Sequence, residues 1–312
     1  MINKLILRLS NEMGNQLFMY AAGYSISKKL NRELFIDNET AFTSRKNISE
    51  YGLDNFNFTS SIAPRNLKFL NLSGYLKRKI SKKIDFFNTK KKFLVEKKNY
   101  KKITHFTKDF FIKKEYSPNL FLEGHFESEK YFHEHKKEIL NEFSFKDKKS
   151  LSDNYYYNLI NNSNSVAICI RQNRFSERKS GTTSEDKRES DNFTIEQINY
   201  VNKCINVIKS KINNPKFFLW SNNYDGLHNH FPSNAFTMIL NENNLKNSKK
   251  SVLDLFLMTQ AKHYIVIPSS YNWWGCYLSS NKKKIVLRPD KKNFSKFEIN
   301  NLDLWPESWI KI

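Results

Sequence analysis

Residues 4–9, Lys-Leu-Ile-Leu-Arg-Leu, form an apolar run too short for a helix, and the polar turn behind them contains Gly14. Phe18, Ala21, Ala22 and Ile26 then recur at helical spacing across 15–30, and 33–36 returns to a strand pattern. Strand, turn, helix and strand in that order make a βαβ unit, which selects a parallel sheet with crossover helices. The second half repeats the alternation. A strand is predicted over 165–170, then a helix over 194–210 with Ile195, Ile198, Val201, Ile205 and Ile208 on one face. Strands follow over 216–220 and 235–240. A helix over 251–262 is opened by Ser251 with Asp254 three residues on, a capping-box spacing. A buried strand over 263–267, a helix from Tyr271 and a last strand over 284–287 complete the pattern.

Between these halves the sequence changes character. Residues 67–114 are dense in Lys and Phe, as in KRKISKKIDFFNTKKKF, and read as a solvated helical pair or a segment touching a membrane face. A strand is expected over 119–123, a helix over 128–143 and a polar linker over 144–165. The division is therefore drawn near 150. It gives a Rossmann-like N-terminal domain, 1–150, carrying the Lys/Phe-rich insertion, and a Rossmann-like C-terminal domain, 151–312. Two such domains leave a central cleft, where ligands of α/β proteins usually bind.

Composition narrows the classes. Aromatics at 15% of 312 residues supply more apolar area than disordered chains carry. No apolar run approaches the length that spans a bilayer, and the first residues lack the apolar core and cleavage site of a secretory signal, so a cytoplasmic location is expected. Cys169, Cys204 and Cys276 show neither disulfide nor zinc spacing. Against 31 acidic residues stand 52 basic ones, a net charge of +21, and only ten of the basic residues are Arg. Such an excess of Lys fits either a nucleotide composition rich in A and T or attraction to something anionic. Four of the Arg, at 171, 174, 178 and 188, fall close together. No nucleic-acid reading motif accompanies the basic runs, and no nucleic-acid partner is expected.

Four segments can carry chemistry. In Asn11-Glu12-Met13-Gly14-Asn15-Gln16, Gly14 permits close backbone approach, and Asn15 and Gln16 can orient a sugar or phosphate oxygen at a helix start. In Cys169-Ile170-Arg171-Gln172-Asn173-Arg174, directly after a strand, Arg171 can grip a diphosphate and neutralise the charge of a leaving group. Its polar sequel, 175–191, reads as a mobile loop over the cleft, with Glu177, Glu185, Asp186 and Asp191 as possible bases. Ser269-Ser270-Tyr271-Asn272-Trp273-Trp274-Gly275 has hydroxyls and a helix start converging as a phosphate cradle, the Trp pair reading as core. Ser221-Asn222-Asn223, after another strand, can read a base edge or a ribose, or be a plain turn. Walker A, G-x-G-x-x-G and H-E-x-x-H patterns are absent, and no D-x-D stands in the cleft loops. His125, His133 and His135 give only a weak metal signal.

Taken in order, these segments resemble glycosyltransferase family 11, the GDP-fucose-dependent α-1,2-fucosyltransferases. The family's opening Gly-Leu-Gly-Asn-Gln-Met-Phe-Gln-Tyr-Ala is similar to Glu12-Met13-Gly14-Asn15-Gln16-Leu17-Phe18-Met19-Tyr20-Ala21. Its middle marker resembles Gly124-His125-Phe126-Glu127-Ser128-Glu129-Lys130-Tyr131-Phe132, and its late marker resembles Pro268-Ser269-Ser270-Tyr271-Asn272-Trp273-Trp274-Gly275. Asp254-Leu255-Phe256-Leu257-Met258 with Lys262-His263 matches the lead-in to the late marker. There are departures. The family's His-x-Arg-Arg-Gly-Asp is here Cys169-Ile170-Arg171-Gln172-Asn173-Arg174, and its Ser-Asp-Asp is Ser221-Asn222-Asn223.

The resemblance implies an α/β fold of GT-B type and an inverting transfer of L-fucose from GDP-β-L-fucose to O2 of a galactose-type acceptor in surface-polysaccharide synthesis. The C-terminal domain would hold the donor and the N-terminal domain the acceptor, without a metal or other cofactor. Arg171 would take the leaving-group charge. Gly14, Asn15, Gln16, Cys169, Ser221, Asn222, Asn223, Ser269, Ser270, Tyr271 and Asn272 would line the donor site, with Glu12 the candidate base. The partners implied are a GDP-sugar and a glycan acceptor, which can be lipid-linked. The Lys-rich surface also fits peripheral docking at the inner face of the bacterial inner membrane. A related transferase with another GDP-sugar or linkage, or a non-catalytic basic protein binding an anionic polymer, are the alternatives.

Overall fold

A computed structural model describes residues 3–42, 50–99, 103–177, 181–240, 247–295 and 300–312. The chain forms two compact units, Met1–Lys146 with Leu302–Leu304, and Asp147–Asn301 with Trp305–Ile312. Each is built on its own parallel sheet.

The first unit contains β1 (Lys4–Arg8), α1 (Met13–Leu30), β2 (Glu33–Asp37), β3 (Ser61–Ile62), α2 (Asn71–Ile84), β4 (Lys91–Val95), β5 (Tyr116–Glu123) and α3 (Lys136–Glu142). Its strand order is β3-β2-β1-β5-β4, all parallel. Leu5, Ile6 and Leu7 have no exposure at all, as expected where helices cover both faces of a strand. Helix α1 is apolar or small around most of its circumference and is buried along nearly its whole length. Gly23 is what lets it approach the sheet, because a Cβ there would stand 2.9 Å from Leu7 Cδ2.

The second unit contains α4 (Lys148–Ser152), α5 (Tyr155–Asn161), β6 (Asn164–Ile170), α6 (Ser184–Lys211), β7 (Pro215–Ser221), β8 (Phe236–Met238), α7 (Asn247–Thr259), β9 (His263–Ile265), α8 (Ser270–Tyr277), β10 (Val286–Arg288) and β11 (Ile310–Lys311). Its order is β11-β10-β9-β6-β7-β8, again parallel. Trp273 and Trp274 are core residues, 1% and 0% exposed, with Trp273 stacked on Tyr277 at 4.4 Å.

Several expected elements need correction. The described residues of segment 67–114 are not a helical pair: they hold one α-helix, α2, then β4, which joins the sheet as its edge, and a 3-10 turn over Lys108–Phe111. The helix expected over 128–143 is two 3-10 turns followed by α3, interrupted at Phe132, whose φ of −137° and ψ of 13° lie outside helical geometry. The polar stretch 144–165 is not a plain linker. It contains α4, capped by Asp147 on Ser150 N–H, and α5, capped by Asn154 on Tyr156 N–H. Most of the described part of the supposed mobile loop 175–191 is helix. Thr183 and Asp186 form a capping box, so α6 begins at Ser184. Arg178 lies outside the described residues. The Ser251–Asp254 pair does not open its helix, because α7 starts at Asn247. Among the described residues no helix is long and apolar enough to cross a membrane.

Candidate functional site

In an open parallel sheet the chain leaves the first strand to one side and later returns to the other. The loops at the carboxyl ends of the two strands flanking that reversal diverge and leave a crevice. In the second unit the reversal falls between β6 and β9, which are hydrogen-bonded neighbours with Ile168 opposite Ile265. Adjacent strands lie about 5 Å apart. The chain leaving β6 at Arg171 and the chain leaving β9 toward Ser269 and Ser270 therefore start at one edge of the sheet, side by side.

Arg171 is held by its backbone. Gln197 of α6, with no exposed surface, accepts from Arg171 N–H at 2.9 Å and donates to Arg171 C=O at 2.9 Å. The same amide also donates to Phe193 C=O at 3.2 Å. With its backbone fixed on both sides, Arg171 projects a half-buried guanidinium, which pairs with Glu177. Asn222 Nδ2 lies 3.5 Å from the other Glu177 oxygen. Asn173 takes a left-handed φ of 56°, turning the loop sharply behind the arginine. Across the reversal, Ser269 caps α8 through the Asn272 N–H, leaving Ser270 to begin the helix. Ser269 and Ser270 are both partly exposed. Arg288 ends the next strand, β10, and burial holds its pKa below the ordinary arginine value; its Nε is buried without a hydrogen-bond partner among the described residues. Neither Gln197 nor Arg288 was picked out from the sequence. An Arg at a strand end is a legible signal, whereas a Gln in mid-helix is not.

Of the other expected donor residues, Cys169 and Asn272 are buried, and Ser221, Asn222, Asn223 and Tyr271 are exposed or partly so. Cys169 is buried against Met258, sulfur to sulfur at 3.9 Å, and burial pushes its thiol pKa well up. It packs the core and offers no face to a nucleotide. Asn272 is 1% exposed; its Oδ1 accepts from Ile267 N–H at 2.8 Å and closes the turn before α8. Tyr271 donates to Ser251 C=O. Asn222, exposed, accepts from Gln172 N–H at 2.9 Å and donates to Gln172 C=O at 3.0 Å, joining the loops after β6 and β7. Ser221 and Asn223 bond to each other in the same turn, Ser221 Oγ to Asn223 C=O. Of the possible bases, Asp186 is spent on the α6 cap, Glu185 pairs with Arg188 at 3.7 Å, and Asp191 lies exposed along the helix.

The first unit has its own reversal, between β1 and β5. There the opening and middle segments meet: Asn11 Nδ2 stands 3.5 Å from His125 Nε2. Asn11, with φ of 61°, makes the sharp turn after β1, and Gly14 sits in the first turn of α1. Gln16 is wholly buried and serves the backbone. It donates to Asn11 C=O at 2.6 Å and Glu50 C=O at 2.7 Å, and accepts from Gly52 N–H at 3.0 Å. Glu12 stands exposed at the α1 N-cap, and Asn15 follows it, half-buried. The loop after β5 is clamped by Glu96, whose Oε2 accepts from His125 N–H at 2.7 Å and from Phe126 N–H at 2.9 Å. That clamp holds Phe126 at a left-handed φ of 53°, which is strained for an aromatic residue. Gly124 is obligatory in this loop, since a Cβ would stand 2.5 Å from Glu96 Cβ. The three histidines do not converge: His135 Nδ1 lies 3.1 Å from Ser25 Oγ, and His133 is exposed. Among the described residues no group of three or more His, Cys, Asp or Glu could hold a metal ion.

Burial, with Lys98 and Arg8 nearby, lowers His125 to about 4. The folded protein resists this proton while the unfolded chain binds it near 6.5. Stability from this residue is therefore present above about pH 6.5 and lost as pH falls toward 4. A shift of this size corresponds to about 3 kcal/mol. Urea unfolding of the wild type should lose that much more stability than His125→Gln across this window; equal losses would refute the buried, neutral imidazole.

Two parallel sheets, each with its own chain reversal, give the chain an α/β fold of GT-B type. The chain belongs to glycosyl transferase family 11, whose profile matches residues 7–312. It is 26% identical over 315 residues to an alpha-1,2-colitosyltransferase of Escherichia coli, covering 99% of this chain and 98% of that protein. To the O-antigen biosynthesis glycosyltransferase WbnK of Escherichia coli it is 23% identical over 319 residues, covering 97% and 99%. Among solved structures, fucosyltransferase NodZ from Bradyrhizobium superposes with a TM-score of 0.51 at 13% identity, covering 88% of this chain and 93% of that one. Arabidopsis thaliana FUT1, in complex with GDP, gives 0.53 at 11%, covering 94% and 72%. These likenesses establish the shared fold.

Proposed function

We propose that the chain is an inverting, metal-independent transferase that moves L-fucose from GDP-β-L-fucose to O2 of a galactose-type acceptor in O-antigen synthesis. The observation that carries this is Arg171, clamped at the carboxyl end of β6 beside the chain that leads to the α8 N-terminus. The acceptor O2 attacks the anomeric carbon on the face opposite the diphosphate. The C1–O bond breaks, its electron pair leaves with GDP, and the acceptor proton passes to a base. Arg171 stabilises the departing diphosphate, assisted by Ser269, Ser270 and the positive end of the helix that starts there. In this reading Glu12 is the base, and Asn15 orients a sugar hydroxyl. The GDP complex of the Arabidopsis neighbour and the O-antigen role in the name of WbnK support the donor class and the setting.

A second donor is favoured by one observation, the colitosyltransferase relative. Colitose is L-fucose without its 3-hydroxyl, so a site that makes no hydrogen bond to O3 would accept both sugars. The test is GDP release from a panel of GDP-sugars with simple galactosides, repeated in EDTA. The expected result is fastest release from GDP-L-fucose, an α-1,2-linked product and unchanged rates in EDTA. Release from GDP-colitose alone would move the donor assignment, and loss of activity restored by Mn²⁺ would overturn the metal-free mechanism.

A further inference from the structure

Helix α2 is oriented opposite to an ordinary surface helix. Its polar side faces the protein: Arg78 donates from Nε and Nη2 to the two Glu123 oxygens at 2.6 and 2.5 Å, and Lys82 adds a third bond at 2.8 Å. Burial alone would raise the Glu123 pKa, but these two cations outweigh it and hold the carboxyl below its ordinary range. Gly74 lets the helix start fold back closely, since a Cβ there would stand 2.5 Å from the Phe69 carbonyl carbon. The outward side is an i, i+4 ladder of Leu72, Leu76, Ile80 and Ile84, followed by Phe86 and Phe87, and all six are 48% to 83% exposed. A soluble protein normally turns such a stripe inward.

The stripe is presented by a fixed framework. Asp85, 5% exposed, accepts from Lys92 N–H at 2.7 Å and Phe93 N–H at 3.0 Å, which pins the Phe86–Phe87 turn to β4. Lys91 Nζ donates to the Asp85 and Phe86 carbonyls, both at 2.9 Å. Lys77 lies on one flank of the ladder and Lys79 and Lys83 on the other, all exposed, and 71–84 contains no acidic residue.

We propose that this face docks on the surface of an anionic lipid bilayer, with the aliphatic ladder and the two phenylalanines at the acyl boundary and the lysines among the headgroups. Charge selects this occupant over a second copy of the chain. Face-to-face pairing through the stripe would bring the same lysines against each other, with no acid on the helix to neutralise them. Docking is independent of the donor and linkage assigned above, because vesicle binding is read without turnover.

The experiment is flotation of the full chain with vesicles of phosphatidylcholine alone or mixed equally with phosphatidylglycerol. The wild type should float with the anionic vesicles only, and less so in high salt. Leu76→Glu/Ile80→Glu should weaken the partition at least tenfold while GDP release with a soluble galactoside stays at the wild-type rate. Replacing Lys77, Lys79 and Lys83 by Gln should weaken it on the order of 100-fold, about fivefold for each cation. Absence of wild-type flotation, or flotation of the double-Glu variant at the wild-type level, would overturn the proposal. So would sedimentation showing a wild-type dimer that the double-Glu variant converts to monomer without any vesicle binding.

Discussion

Arg171→Lys is expected to lower turnover by about 10²–10³-fold while thermal unfolding stays at the wild-type midpoint. The guanidinium is a flat fork with several N–H donors, whereas an ammonium is a compact point charge on a flexible stem. A diphosphate leaving a sugar gains negative charge over several oxygens. Removing one well-placed donor to such a charge typically costs the factor quoted. The fold is spared because the clamp on this position is made to its backbone N–H and C=O, which lysine keeps. Glu177 supplies the opposite control. It occupies the fork, so a diphosphate must displace a carboxylate of its own sign or share the cation with it. Glu177→Gln should therefore bind GDP several-fold more tightly, read by titration calorimetry. Wild-type turnover in Arg171→Lys would place the leaving-group charge on other residues, with Arg288 the next to test.

The central strands were legible because they are buried on both faces and so read as short unbroken apolar runs, as in Leu5-Ile6-Leu7 and Val166-Ala167-Ile168. The edges were not. Strand β3 has two residues, and β4 hides inside a lysine run whose stems snorkel past the sheet. The first turns of α6 are polar, and only the Thr183–Asp186 spacing marks their start, a signal present in the sequence but read as loop. The strand order places the marker segments at the two chain reversals. The opening and middle markers meet at the reversal of the first sheet, and the loop after β6 starts beside the chain that leads to the late marker at that of the second. What the sequence could not show is which way a carboxamide points. Gln16 and Asn272 were expected at a ligand, and both are buried and satisfy backbone groups that the turns around them leave unpaired. A side chain with one acceptor and two donors suits either task equally, and only the fold decides between them.

Gln197 is the clearest case, and it predicts a loss in both stability and rate. Gln197→Leu should destabilise the chain by about 2–4 kcal/mol, measured by urea unfolding, because both Arg171 backbone groups lose their partner with little water at hand. Leucine keeps the apolar bulk in this part of α6, so the loss reports the amide and not a cavity. The same variant should lower kcat about tenfold with the KM for donor less affected, since a fork whose backbone can drift is misplaced most in the transition state. Gln197→Glu separates the two tasks. It retains the acceptor for Arg171 N–H, loses the donor to Arg171 C=O and Phe193 C=O, and introduces a buried charge near the guanidinium. Its turnover should fall below that of Gln197→Leu, because a carboxylate held on the Arg171 backbone opposes the incoming diphosphate. A Gln197→Leu protein with wild-type kcat and reduced stability would confine this amide to holding the fold, and Arg171 would then owe its placement to the loop alone.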